Sequence, residues 1–503
     1  MTRAKKALYT SIFSTLHQVL LVACGIILPK FFLVAYGSEV NGLVSSITQF
    51  LGLISLAELG VGAVVQSSLY KPLAENNIEQ VSRIFKSSQR FFNVVGCVLV
   101  VYVLLIAGLY PLFVKDEFDY FFIATLVLII SINVFAQYYV GINYRLVLGA
   151  DQYGFISHGL SCITLVVNTV VCVVLIKTGQ SVHIVKLCSS IIFLLQPLIL
   201  LFIARKKYKI IKNIELTEEP IKQKWNGLAQ HVASAVNSNT DIIVLTFFSS
   251  LKDVSIYSVY YMVVNGVRSI VSSLTNGLIS MFGNMLAKGE LEEANKTFSF
   301  VETLIHTVTV LLFTITGILI VPFVAVYTKD ISDANYITYP FGILITVALA
   351  SYCLRLPYNI IVMAAGHYKE TQVSAIIEAV LNISISVVFV FSFGLVGVAI
   401  GTLVAMVYRT IYLAWYLSRN ILNRNISIFI KHCFVDVLCI SLMILATFFI
   451  GKEANTYLDW FVVALECGAI CLACDLIINF IFYRNDMISI FRSVLSKTKK
   501  QKA

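Results

Sequence analysis

About fourteen runs of roughly twenty apolar residues, separated by short polar turns, decide what this chain can fold into. A hydrocarbon core of about 30 Å takes roughly 20 helical residues to cross, and only helices or closed barrels satisfy every backbone group there. The runs show no alternation with period two, which excludes barrel strands. Charged residues make up 13% of the 503, against roughly 25% in a soluble domain, too few to coat a water-facing surface. The expectation is an all-α integral membrane protein of about 14 transmembrane helices.

Orientation follows from Lys and Arg, which concentrate in cytoplasmic loops. With both termini cytoplasmic, 27 of the 37 basic residues fall on the inner side. Seven fall outside (Lys30, Lys115, Lys177, Lys186, Lys252, Lys329 and Lys452), and Arg268, Arg355 and Arg409 lie within spans. The first span, following Met1 to Lys6, reads as an uncleaved signal anchor. An offset of about 214 residues maps the chain onto itself: Leu73-Ala74 with Phe85 falls on Leu286-Ala287 with Phe298, and Tyr144 on Tyr358. Each half holds an even number of spans, so the halves are parallel repeats about an axis along the membrane normal. The resulting division is 1–204 for a six-helix lobe, 205–224 for a cytoplasmic linker, 225–418 for a second six-helix lobe, and 419–503 for helices 13 and 14 with a basic tail. Segment 71–90 places Val81 and Phe85 opposite Arg83 and Lys86, the pattern of an interfacial helix.

A charge at mid-bilayer costs roughly 2.5–3.5 kcal/mol on insertion scales, so buried ionisable residues mark candidate sites. Arg268 lies near the middle of the eighth span, on one face with Asn265 and Asn276. Arg355 and Arg409 fall in the inner halves of the tenth and twelfth spans, and Arg145 at the inner end of the fourth. Deep guanidiniums suit bidentate capture of phosphate oxygens, although arginines near helix ends, such as Arg145 and Arg409, also snorkel to the interface. Asn237 shares a stripe with Asp241 in the seventh span, and Glu378 lies on another with Ser374 and Asn382 in the eleventh. Glu58 in the second span and the Glu302/His306 pair in the ninth complete the set. These carboxylates serve either as counter-ions for the arginines or as an H⁺ or Na⁺ relay. The 11 cysteines fall mainly in apolar runs and read as packing residues, with no metal site and no disulfide. Nucleotide-binding and hydrolytic motifs are lacking, so the expectation is a transporter without cofactor, enzymatic activity or nucleic-acid partner.

The run Tyr36-Gly-Ser-Glu-Val-Asn-Gly-Leu-Val-Ser-Ser, then Ala57-Glu-Leu-Gly-Val-Gly and Leu69-Tyr-Lys-Pro-Leu-Ala-Glu, resembles bacterial polysaccharide repeat-unit flippases of the Wzx type, as does Asn239-Thr-Asp-Ile-Ile-Val-Leu. The resemblance implies the superfamily that also holds multidrug extruders and lipid II flippases, with two six-helix lobes forming a V. It implies an undecaprenyl-pyrophosphate-linked oligosaccharide moved from the inner to the outer leaflet of the bacterial cytoplasmic membrane, by a monomer working beside a polymerase and glycosyltransferases. Lipid II flippases carry first-helix arginines, whereas this chain has only His17 and Lys30 there. The alternative is a cation-coupled exporter of small amphipathic molecules on the same fold. Reporter fusions after Lys209 and Lys497 should read as cytoplasmic, and one after Asp330 as external; an external C-terminal reporter would remove the even span count.

Overall fold

The structure, a computed structural model, describes residues 3–53, 56–114, 118–211, 214, 239–275, 277–451, 453–484 and 486–488. Among these, eleven helices are long and apolar enough to cross a membrane. The chain is a multi-pass, all-helical membrane protein that divides into two units, Met1–Ile243 and Val244–Ala503.

The first unit contains α1 (Arg3–Gly52), α2 (Leu56–Ala74), α3 (Ile78–Phe113), α4 (Tyr120–Ala136), a π-helical turn (Gln137–Gly141), α5 (Ile142–Ala150), α6 (Gly154–Lys177) and α7 (Val182–Lys207). The short helix α8 (Asn239–Phe248) contains the boundary. The second unit continues with α9 (Leu251–Ser273), α10 (Leu278–Ala287), α11 (Leu291–Tyr327), α12 (Tyr339–Leu354), α13 (Leu356–Ala364), α14 (Tyr368–Asn420), α15 (Ser427–Ala446) and α16 (Tyr457–Phe482). Asp119, Ser181, Ser250 and Thr456 cap α4, α7, α9 and α16, satisfying amides that the helices leave open.

Two helices are far too long for one crossing. At 1.5 Å per residue, the 53 residues of α14 would reach about 80 Å, against roughly 30 Å of hydrocarbon. The chain instead reverses at Gly394 (φ 53, ψ −128), a conformation open to glycine. Beyond this turn the two arms touch. The Ser386 hydroxyl donates to the Val398 carbonyl at 3.3 Å, and a Cβ added to Gly397 or Gly401 would collide with Phe389 or Ser386. Glycines four apart are what let helix backbones approach this closely in lipid. In α1 the same break falls at Gly37 (φ 81, ψ 175), within the Tyr36-Gly-Ser turn.

The helix sequence of the first unit recurs in the second. In each, a long helix (α3, α11) precedes an interrupted one (α4–α5 at the π-helical turn, α12–α13 at Arg355). Two helical arms then meet at a positive-φ glycine, Gly179 or Gly394. Segment 71–90 is not the separate interfacial helix expected from its pattern. It forms the last turn of α2, a turn at 75–77 and the first turns of α3, with Val81 and Phe85 buried and Ile78 exposed. The chain after α7 docks against this part of α3: Ile211 N–H donates to Ser82 Oγ at 3.0 Å and Lys86 donates to the Ile214 carbonyl.

Overpacking a tight contact costs about 1–3 kcal/mol. Gly397→Ala and Gly401→Ala should therefore lower the melting temperature and yield of the solubilised protein, whereas Gly468→Ala, which meets nothing within 4 Å, should not. A thermal-shift comparison of the three variants checks this.

Candidate functional site

Two charge clusters lie within the second unit. The first gathers α9, the α12–α13 break and both arms of α14. Leu354-Arg355-Leu356-Pro357 interrupts the helix because the proline ring supplies no amide and disfavours the helical conformation just before it, which places Arg355 at the junction. Its guanidinium binds the Glu378 carboxylate, and the other carboxylate oxygen lies 3.6 Å from Arg409 Nε. Arg409 also donates to the Thr371 carbonyl at 3.0 Å and to the Ser374 hydroxyl. At 3% exposed, it does not snorkel to the interface. Tyr352 carries a cation on its ring from two directions: Arg355 Cζ lies 4.4 Å from the centroid and Arg268 Cζ 5.0 Å. Arg268 makes no ion pair among the described residues, and one turn earlier the buried Asn265 Oδ1 has no hydrogen-bond partner. Two guanidiniums thus hold one carboxylate, and a third shares the Tyr352 ring with one of them.

The second cluster joins α11, α13, α15 and the α14–α15 loop. Glu302, 0% exposed, pairs with Arg424 at 2.6 Å and accepts from the Tyr358 hydroxyl at 2.7 Å. His306 bridges onward, with Nε2 at 3.2 Å from the Tyr358 oxygen and Nδ1 at 2.7 Å from Asp436. His432 Nε2 sits 3.5 Å from Glu302, its ring stacked on Tyr483. Sequence reasoning found Glu302 and His306 but missed Arg424, Asp436 and Tyr358 as their partners. Asp436 carried a signal, as an acid inside an apolar span.

In the first unit, Arg145 lines a cavity of about 300 Å³ at the π-helical turn, with polar residues such as Asn133, Gln137 and Gln196 and apolar ones such as Leu21, Leu165 and Phe193. A π-bulge of this kind often accompanies function. Gln196 donates to Ser161 at 2.7 Å and Gln137 to Asn133 at 3.0 Å, so part of the lining is already fixed. Asp241 is buried on α8. Asn237 and Asn276 lie outside the described residues, as does the Glu58 side chain.

No family profile matches the sequence, and no curated protein matches it. Solved structures do match over most of their length. A lipid II flippase, MurJ, in an inward closed conformation aligns with a TM-score of 0.70 and 18% identity, over 96% of this chain and 100% of that one. An inward-facing multidrug resistance MATE family transporter of the MOP superfamily aligns at 0.57 and 14%, over 80% and 95%. The Vibrio cholerae MATE transporter VcmN aligns at 0.60 and 12%, over 84% and 99%. The chain shares its fold with these structures. Its neighbours are transporters and flippases rather than enzymes, and identities this low speak for the fold alone.

Removing one partner of a buried ion pair costs about 3–5 kcal/mol, since a bare charge remains. Glu378→Gln should lower the melting temperature by several degrees, whereas Arg268→Ala, which breaks no ion pair, should shift it little. Circular-dichroism melts of the two variants in detergent separate these outcomes.

Proposed function

We propose that this protein is a flippase of the Wzx type, which carries undecaprenyl-pyrophosphate-linked oligosaccharide units from the inner to the outer leaflet by alternating access. The observation that carries this reading is the surplus of positive charge in the first cluster: among the described residues, Arg268, Arg355 and Arg409 gather with one carboxylate, Glu378. Unbalanced cations inside a bilayer protein are expensive, and an anionic ligand relieves them. A pyrophosphate offers oxygens that match the planar guanidinium fork, and the free faces of Arg268 and Arg355 on Tyr352 provide it. The orphan acceptor Asn265 Oδ1 then takes a sugar hydroxyl. Arg145, Asn237 and Asn276 are further candidates for substrate recognition, Arg145 on the lining of the first-unit cavity. The recurring element order of the two units supports the parallel repeat, and the basic-residue asymmetry supports cytoplasmic termini. Glu302 and His306 belong to coupling with H⁺ or Na⁺, and Glu58 and Asp241 are further candidates for that role.

The MATE neighbours favour a second reading, export of small molecules. A cationic drug would meet the guanidinium surplus, which counts against it.

Arg268→Ala should insert normally yet abolish surface polysaccharide, and Arg268→Lys, a point charge without the fork, should rescue only in part. Charge-assisted bonds contribute about 1.5–3 kcal/mol each, so losing two weakens binding roughly a hundredfold or more. Normal polysaccharide export by Arg268→Ala at native expression level would make the arginine structural and remove the anionic head group from the mechanism.

A further inference from the structure

Asp475 lies on α16, well inside an apolar span, and is 1% exposed. Its Oδ1 accepts from the Cys439 thiol of α15 at 3.3 Å and from the Asn479 amide at 3.1 Å. Its Oδ2 is buried without any hydrogen-bond partner, and no Lys, Arg or His pairs with it among the described residues. An ionised carboxylate in that position would be stripped of water with one oxygen bare, a penalty that a neutral carboxyl avoids. Geometry alone therefore favours Asp475 with its proton on.

The groups facing it belong to two adjacent hydrogen-bonded networks, linked by the electrostatic interaction of Asp475 with Asp436. From α15, Asp436 lies one turn before Cys439, close enough for the two acids to interact electrostatically. From α11, Thr307 donates to Asn479 Oδ1 at 3.2 Å, and His306 holds Asp436. The farther end is Tyr358 with the Glu302–Arg424 pair and His432. Proton counting in the network of His306 is constrained. Arg424 keeps Glu302 an acceptor, so the single Tyr358 hydroxyl proton goes to Glu302, and the Tyr358 oxygen accepts from His306 Nε2–H. The contact between His306 Nδ1 and Asp436 then holds one further proton, shared between imidazole and carboxylate. Asp475 adds a second beside it.

We infer that Asp475, with the Asp436–His306 pair, forms a proton-binding site in the C-terminal helical pair, and that its loading and release couples a proton gradient to transport. The inference deepens the transporter reading by naming the coupling ion. Release from Asp475 leaves two carboxylates facing one imidazolium, which breaks the charge balance of the seam between α11, α15 and α16. Repulsion between like charges in a low-dielectric interior then loosens that seam.

Two measurements on the full-length protein in vesicles decide the matter. Infrared spectra at neutral pH should contain the carbonyl band of a protonated carboxyl that Asp475→Asn removes and Asp436→Asn shifts. In the second, an imposed pH gradient should accelerate movement of a lipid-linked oligosaccharide by wild type. Asp475→Asn, which mimics the protonated acid and keeps the Cys439 and Asn479 contacts possible, should lose that acceleration, and Asp475→Glu should regain part of it. A purely structural Asp475 would leave the gradient response of Asp475→Asn intact. A protonated-carboxyl band that is missing, or unchanged in Asp475→Asn, overturns the inference, as does a wild-type gradient response in that variant. Failure of the flippase reading looks different: the oligosaccharide lipid does not move in wild type, while the infrared band behaves as described.

Discussion

The shared grip of Arg355 and Arg409 on Glu378 is the interaction around which the second unit is arranged. A charged guanidinium or carboxylate in hydrocarbon is costly unless paired, and here the partners come from the α12–α13 break and both arms of α14. Glu378 sits on the first arm of α14 and Arg409 on the second. They meet because Gly394 turns the chain and Gly397 and Gly401 let the arms close. Arg355 arrives from the α12–α13 break, where Pro357 frees the chain from a continuous helix. Backbone, glycine spacing and charge pairing are thus one design, and the guanidiniums left over give it chemistry.

Much of this was legible in the sequence. Apolar run lengths announced the spans, because the bilayer fixes how many residues a crossing takes. The three arginines inside spans stood out for the same reason, and all three meet in one cluster. What periodicity could not reveal was contact across helices. Arg424 counts as an ordinary inner-loop charge in the sequence, yet it folds back onto Glu302 in the ninth span. Arg409 near a helix end suggested snorkelling, and only the reversal of α14 shows why it turns inward to Thr371 and Ser374 instead. Asp436 and Asp475 carried the same signal as the arginines but lie beyond the repeated part of the chain, where internal similarity gives no pointer.

The two clusters differ in charge balance, and this separates their tasks. Around Tyr352 the cations exceed the acid among the described residues, which is the observation behind the proposed anion site. Around Tyr358 the pairs Arg424–Glu302 and His306–Asp436 are matched, which is the observation behind the proposed proton site. Histidine paired with carboxylate is the arrangement most responsive to a single proton near neutral pH.

A nine-residue helix connects them. Arg355 caps α13 and belongs to the first cluster, while Tyr358, three residues on, belongs to the second. Residues three apart lie on neighbouring positions of one helix surface. A rigid shift of α13 would act on both the hold of Arg355 on Glu378 and the Tyr358 contacts with Glu302 and His306. Coupling between sites requires an element whose position both ligands bias. Under the proposed function, α13 is the element that an anion at Arg355 and a proton at His306 would both bias, which would make the binding of either one depend on the other.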